Sequence, residues 1–300
     1  MTQAVCIDDR VAEVGECPVW DAARGLLWWV DIYGGVVFGL DPARGVRRSR
    51  RLEGHRLAAA LAPCADGRLL VGTEHGLHLL DPDSGALAFA GDPRGGRDWL
   101  AFNDARVDPH GALWIGTYDS RFVEGSPGGR EGVLFRIGPD GAAGEPWSGV
   151  PVVNGPAFAP DGSRIYVADT MAGTILAAPL DAGGLAGPFV PVAASAGAGG
   201  RPDGLAVDAA GCLWAAMWVG GRVVRYRPSG EIERIVALPV AMTLSCTFGG
   251  PGRTTLFVAT ATDGLDAAAR AAQPLAGRLF AVETDVAGQP ERGFPASLLG

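Results

Sequence analysis

The stretch Arg201-Pro202-Asp203-Gly204-Leu205-Ala206-Val207-Asp208-Ala209-Ala210-Gly211-Cys212-Leu213-Trp214 decides the fold. It opens on a polar residue, Asp203, and continues into a short apolar run, Leu205 to Val207. A turn from Asp208 to Gly211 then leads into a second apolar run at Leu213-Trp214. Two apolar runs joined by a glycine-containing turn are the signature of a β-hairpin. The pattern recurs. Asn154 to Gly162 leads into Ile165-Tyr166-Val167, Asn103 to Gly111 into Leu113-Trp114-Ile115, and Glu16 to Gly25 into Leu26-Leu27-Trp28. Asp203, Asn154 and Asn103 each lie eight residues before their turn glycine, and Glu16 lies nine before Gly25. Two further copies have neither a carboxylate nor an amide at that place: Leu57 to Gly67, leading into Leu69, and Thr243 to Gly252, leading into Leu256.

The second runs begin near residues 26, 69, 113, 165, 213 and 256, a spacing in the range of propeller blades. Each copy continues into a third apolar run, such as Val36-Val37-Phe38 or Val223-Val224-Arg225-Tyr226. A sheet of three or four strands cannot bury both faces alone, but six stacked around an axis can. The expected fold is all-β, a six-bladed β-propeller forming a single domain over 1–300. Val5 to Ala12 is expected to be a strand that completes the last blade. The innermost strands would all start at one rim of the central channel, so Glu16, Asn103, Asn154 and Asp203 would converge there.

Composition agrees. Gly 46 and Pro 22 beside 48% apolar residues fit many short strands joined by tight turns. A net charge of −8 argues against nucleic acid as a partner. The one basic run, Arg47-Arg48-Ser49-Arg50-Arg51, is expected to be a solvated strand edge. The five scattered cysteines, the lack of a signal-peptide pattern and the absence of any long apolar run read as a cytoplasmic chain with free thiols and no membrane partner. Ser120 to Arg130 is a polar insertion, and Ala193 to Gly200 an Ala/Gly-rich loop. Asp266 to Ala272 is the one helix-like stretch.

Two carboxylates and two amides aimed at one place can bind a cation. Oxygen ligands favour Ca²⁺, Mg²⁺ or Mn²⁺, and zinc is less typical. Singly, Asn154-Gly155 and Asp203-Gly204 are more often turn chemistry. Their shared offset from the turn glycine is what makes them a set. Asp108, Asp161 and Asp208 sit inside the turns and read as turn formers. The four histidines do not read as a metal site: His75 and His78 flank one hairpin, His110 lies in a turn, and His55 lacks a partner. The tryptophans of the repeat strands read as blade packing, with Trp99 and Trp218 as candidates for the pocket mouth.

The chain resembles the regucalcin/gluconolactonase-type sugar lactonases from about Glu13 to Phe294. The stretches that carry the resemblance are Gly15-Glu16-Cys17-Pro18-Val19-Trp20, Phe102-Asn103-Asp104, Val107-Asp108-Pro109-His110-Gly111, Asn154-Gly155, Pro202-Asp203-Gly204, Ser245-Cys246-Thr247-Phe248-Gly249-Gly250 and Gln273-Pro274-Leu275-Ala276-Gly277. The resemblance implies a six-bladed propeller with one divalent metal at its centre, Ca²⁺, Mn²⁺, Zn²⁺ or Fe²⁺. Glu16, Asn154 and Asp203 would be its ligands, and Asp203 would also be the general base. Asn103 would contact substrate or complete the metal shell. The implied reaction is hydrolysis of a sugar lactone to the aldonic acid by a monomer or weak homo-oligomer. The family commonly has an arginine where Ala101 stands, Ala105 replaces the usual glycine, and Tyr118-Asp119-Ser120-Arg121 departs from the family's run. Tyr118 with Arg121 or Arg97 would then supply substrate contacts. Two other readings stay open: a hydrolase of another lactone, ester or organophosphate on this scaffold, and a non-catalytic cation-binding propeller.

Overall fold

The structure, a computed structural model, describes residues 3–123 and 130–296. Six antiparallel sheets follow one another along the chain. Blade 1 is built from Gly15–Asp21, Leu26–Asp31, Val36–Asp41 and Val46–Arg51. Blade 2 is Ala59–Pro63, Leu69–Thr73, Gly76–Leu80 and Leu87–Gly91. Blade 3 is Leu100–Val107, Leu113–Asp119, Gly132–Ile137 and Ala143–Val150. Blade 4 is Val153–Phe158, Arg164–Asp169, Thr174–Asp181 and Val190–Ala194, with Gly184–Leu185 as a short extra pairing. Blade 5 is Arg201–Val207, Leu213–Trp218, Arg222–Tyr226 and Ile232–Ala237. Blade 6 takes Thr243–Gly249, Thr255–Thr260 and Leu279–Glu283, and its outermost strand is Val5–Asp8 from the other end of the chain. The fold is a six-bladed β-propeller.

The ring closes as the sequence leads one to expect, although the closing strand is shorter: it ends at Asp8, and Arg10 then turns back to grip the Asp8 carboxylate. The basic run lies on the outermost strand of blade 1, where Arg47 pairs with Asp8 and Asp9 and Arg48 with Asp83. Ala193 and Ala194 belong to a strand rather than to a loop, because they pair with Ile175 and Thr174. The helix at Ala267–Ala272 is capped by Asp266, whose carboxylate accepts the Ala269 N–H. Ser120 to Arg130 begins with one helical turn, Ser120–Val123; residues 124–129 lie outside the described residues. No helix among the described residues is long and apolar enough to cross a membrane.

The hairpin between first and second strands explains why the repeat is legible. In blades 3 and 5 the turn aspartate is fully buried. Asp108 accepts the N–H groups of His110 and Ala112 and the indole N–H of Trp114 at 2.8 Å. Asp208 does the same for Ala210, Cys212 and Trp214, and adds an ion pair to Arg225 at 2.8 Å. Trp114 and Trp214 are thereby fixed between blades, wholly buried. Blade 1 has one residue more before its turn glycine. Asp21 is displaced accordingly and pairs with Arg24, and the Trp28 indole N–H is left without a partner.

Candidate functional site

Every innermost strand carries a register shift near its start. The shifts fall between Glu16 and Val19, Ala59 and Ala62, Phe102 and Ala105, Asn154 and Ala157, Pro202 and Leu205, and Thr243 and Ser245. A β-bulge re-aims the side chains beside it, so the six bulges turn one position per blade toward the channel. Blades 1, 3, 4 and 5 put Glu16, Asn103, Asn154 and Asp203 there. Asn154-Gly155 is therefore not a hairpin turn. Gly155 holds φ +82 inside the bulge, a conformation that glycine adopts without strain. Gly204 is needed for a different reason: a Cβ there would come within 2.6 Å of the Ser245 Cβ on the next inner strand.

The structure brings together Glu16, Asn103, Asn154, Asp203 and Tyr118 around one cavity of about 370 Å³. Glu16, Asn103, Asn154 and Asp203 are buried at its floor. Asn103 Nδ2 donates to Val153 O at 3.1 Å and to Asn154 Oδ1. Asn154 Nδ2 donates to Thr170 Oγ1 at 2.7 Å, and that hydroxyl donates to Pro202 O at 2.8 Å. With both amide nitrogens engaged, the oxygens are the atoms that can offer a lone pair to a cation, Asn154 Oδ1 while also accepting from Asn103. Beneath them lies a group to which the sequence assigned no role. Asp104 accepts the Gly155 N–H at 3.2 Å and the Cys17 thiol at 3.3 Å.

Arg121 and Arg97 are placed elsewhere. The Arg121 guanidinium is bound to Asp119 and Glu131 and lies over Trp99. Arg97 pairs with Glu145 and lies over Phe135. Neither is among the described residues lining the cavity, and neither is Trp99, while Trp218 is. The walls are Val14, Ile32, Tyr33, Phe122, Met171 and Met242, with Leu244 and Trp218. Tyr118 hydrogen-bonds Tyr33 at the mouth. Among the described lining residues the charged ones are Glu16, Asp203 and Asp263, all acidic.

Unscreened acid has consequences. Burial, then the charges of Asp203 and Asp104, push Glu16 well above the usual carboxylate range. Burial, then Asp104, does the same to Asp203. Burial raises Asp104 to about 6, against the lowering effect of the Cys17 hydrogen bond and the Arg106 charge. Glu16 and Asp203, two buried carboxyls that resist ionisation, form with the two amide oxygens an oxygen donor set at the cavity floor, with Asp104 beneath it. Glu16, Asn154 and Asp203, with Asn103 next to them, fit a hard divalent cation.

The opposite end of the channel narrows to a space of about 50 Å³. It is covered by the C-terminal segment. Glu291 pairs with Arg106 at 2.5 Å, Gln289 donates to Phe158 O and Val207 O, and Phe294 packs fully buried beside Cys64. Among the described residues, the wide cavity lies at the end of the channel away from this segment.

Comparison with known proteins gives a consistent result. Residues 14–262 match the family described as SMP-30/Gluconolactonase/LRE-like region. The chain is 34% identical over 291 residues to the 6-deoxy-6-sulfogluconolactonase of Pseudomonas putida, covering 96% of this chain and 97% of that protein. It is 32% identical over 290 residues to a pentonolactonase of Haloferax volcanii, covering 94% and 95%. Among solved structures, the calcium-binding protein regucalcin from Agrobacterium tumefaciens superposes with a TM-score of 0.89 at 30% identity over 96% of each chain.

Proposed function

The chain belongs to the SMP-30/gluconolactonase/LRE-like family, and from that premise we propose that it is a metal-dependent lactonase acting on an uncharged lactone. The observation that carries this reading is the set of buried carboxylates and amide oxygens at the floor of the wide cavity. Relatives named as sugar lactonases support the class of reaction. Glu16, Asn154 and Asp203 would hold a divalent cation, which when bound supplies Lewis-acid polarisation of a carbonyl and a lower pKa for water. Loading it also draws Glu16 and Asp203 into their ionised forms, since an adjacent positive charge favours the anion.

The residues of the chain do the rest. Thr170 and Val153 engage the two amide nitrogens, so that the oxygens are the atoms offered to a cation. Asp203 takes the proton from the attacking water. Water adds to the carbonyl carbon, the ring C–O bond breaks, and a hydroxy acid leaves with release of one proton at neutral pH. Asn103 positions the substrate over the floor, and Tyr118 with Tyr33 bounds it at the mouth. Replacing Asp203 by Asn keeps the volume but removes the base and a ligand charge. The rate should fall by about 10²–10⁴-fold, read as initial rates at saturating cation.

Substrate charge follows from the walls. No described lining residue is cationic, Ala101 stands where an arginine is common in the family, and Arg121 is already engaged by Asp119 and Glu131. A lactone bearing sulfonate or phosphate would meet Asp263 at the wall, and the nearest guanidinium, Arg201, lies outside the lining against Met171 and Trp218. Neutral γ- and δ-lactones, including ones with an alkyl or aryl substituent to lie on Ile32, Phe122, Met171 and Trp218, are the substrates the walls favour. Side-by-side kcat/KM values on a neutral aldonolactone, an alkyl-substituted lactone and a sulfonated aldonolactone test this. The neutral pair should be preferred by at least about tenfold, the equivalent of 1.4 kcal/mol; preference for the sulfonated compound would contradict it.

A further inference from the structure

A second cluster of ligand atoms lies on blade 2, and it corrects the reading that His55 lacks a partner. The two-residue turn Glu74-His75 joins the second and third strands of this blade, and Thr73 Oγ1 accepts the His75 N–H to hold the turn. His55 lies in the connection that carries the chain from blade 1 into blade 2, residues 52–58. The His55 and His75 rings stand 5.6 Å apart, and the His78 ring packs edge-on against His55 at 4.6 Å. One ring nitrogen from each of His55 and His75 and one carboxylate oxygen of Glu74 all lie within 4.8 Å of one another. The cluster is made by the fold, since residues twenty positions apart and on two blades' worth of chain meet there.

We propose that His55, Glu74 and His75 form a second metal site, for a borderline divalent ion of the zinc class, separate from the oxygen site in the channel. Three observations support it. Glu74 is already positioned and charged. Its oxygens accept the N–H groups of Arg56 at 2.8 Å and Leu57 at 3.2 Å. His55 Nδ1 is buried and has no hydrogen-bond partner, a state that costs free energy unless a ligand or water satisfies it. The donor set is two imidazoles and one carboxylate, which is the chemistry of zinc and its neighbours and not of calcium. Three protein ligands leave a fourth position open toward solvent, where His75 is exposed. The neighbouring charges are Arg56, whose Nε lies 3.7 Å from Glu74, the buried Arg94, whose Nη2 donates to Glu74 O at 3.0 Å and which is itself paired with Asp92, and Glu53 with Arg51 at the adjoining cleft. Arg56 is largely exposed and can swing away.

Position suggests what the ion does. The antiparallel pairing places the turn between second and third strands at the same end of each blade as the start of the inner strand. Tyr33, Met171 and Trp218 occupy or adjoin that turn in blades 1, 4 and 5 and line the catalytic cavity. The blade 2 turn carries Glu74 and His75 instead. A bound ion would staple it to the crossing from blade 1. It would stiffen the mouth side of the ring without touching substrate.

The test separates the two sites by ligand chemistry. The full chain is saturated with Ca²⁺, which the oxygen site accepts and imidazoles do not, and Co²⁺ is then titrated while its visible absorption is followed. One equivalent of Co²⁺ should bind with the spectrum of nitrogen ligation. Zn²⁺ should displace it and raise the melting temperature. His55→Ala and His75→Ala should each weaken Co²⁺ binding by more than about tenfold, the low end of what even an outer-shell change costs, while Asp203→Asn should leave it unchanged. His75→Gln serves as a check, because an exposed turn residue can be changed without unfolding the blade. Absence of a Co²⁺ signal in the Ca²⁺-loaded chain, or an undiminished signal in the His55→Ala/His75→Ala double variant, would overturn the proposal.

Discussion

Thr170 decides which way Asn154 faces. Its hydroxyl is at once acceptor for the Asn154 amide and donor to Pro202 O, so removing it lets the amide turn its nitrogen toward the cavity. Thr170→Val keeps the shape and should weaken divalent-ion binding by about 10–100-fold, as is typical for an outer-shell partner. Calorimetric titration would show this, and circular dichroism should show the fold retained. Thr170 lies in a turn after the second strand, outside every repeated motif, and nothing in the sequence marks it. The proposed ligands are legible as a set because they share a register. Proton linkage offers another check. Asp104 is raised from 3.8 to about 6, and Glu16 and Asp203 are raised as well. A carboxyl whose folded-state pKa is raised contributes stability below its unfolded value, and that contribution is lost as pH rises through the folded value. The metal-free chain therefore loses the Asp104 contribution between about pH 4 and 6 and those of Glu16 and Asp203 as pH rises through their own raised values, and a cation offsets the loss. The rise in melting temperature on adding Ca²⁺ should be small at pH 4.5 and large at pH 7.5. A rise that is the same at both would mean that the cation does not compete with these protons.

At the scale of the blade, the hairpin aspartates differ in weight although the sequence writes them alike. Asp208 is wholly buried, accepts two backbone N–H groups and an indole N–H, and pairs with the buried Arg225. Asp161 bonds only to Ser163 at the surface. Asp208→Ala leaves a buried guanidinium without this partner and should cost about 3–5 kcal/mol, whereas Asp161→Ala should stay within about 0.5 kcal/mol; denaturant unfolding distinguishes them. The period of turn glycines and apolar runs revealed the blades because every hairpin repeats one spacing. Burial of the turn could not be read that way, since it depends on which blade lies next to it. The positions of Arg121 and Arg97 were hidden as well. Arg97 is claimed by Glu145, distant in the sequence, and Arg121 by its near neighbour Asp119 together with Glu131, a local pairing that the repeat pattern does not mark.

On the scale of the molecule, the ring is closed at one edge and floored at one end. The closing strand pairs Val5 with Ala281, so Val5→Cys with Ala281→Cys should form a disulfide under mild oxidation. Failure to crosslink in the folded chain would place the first strand elsewhere. The floor was not legible in the sequence, because the C-terminal segment has no strand pattern and draws its order from the channel it covers. Phe294 is fully buried against blade 2, and Phe294→Ala should cost about 3–5 kcal/mol. With that end covered, the proposed chemistry falls to the open cavity and to the oxygen donors at its base. The most direct test of that chemistry is proton release from a neutral aldonolactone, measured on the purified chain as prepared, after chelation, and after adding back Ca²⁺, Mn²⁺, Zn²⁺ or Fe²⁺ in turn. Hydrolysis should disappear with the chelator and return with one or more of the ions in the wild type but not in Asp203→Ala. Turnover that persists through complete metal removal, or that survives in Asp203→Ala, would contradict the account.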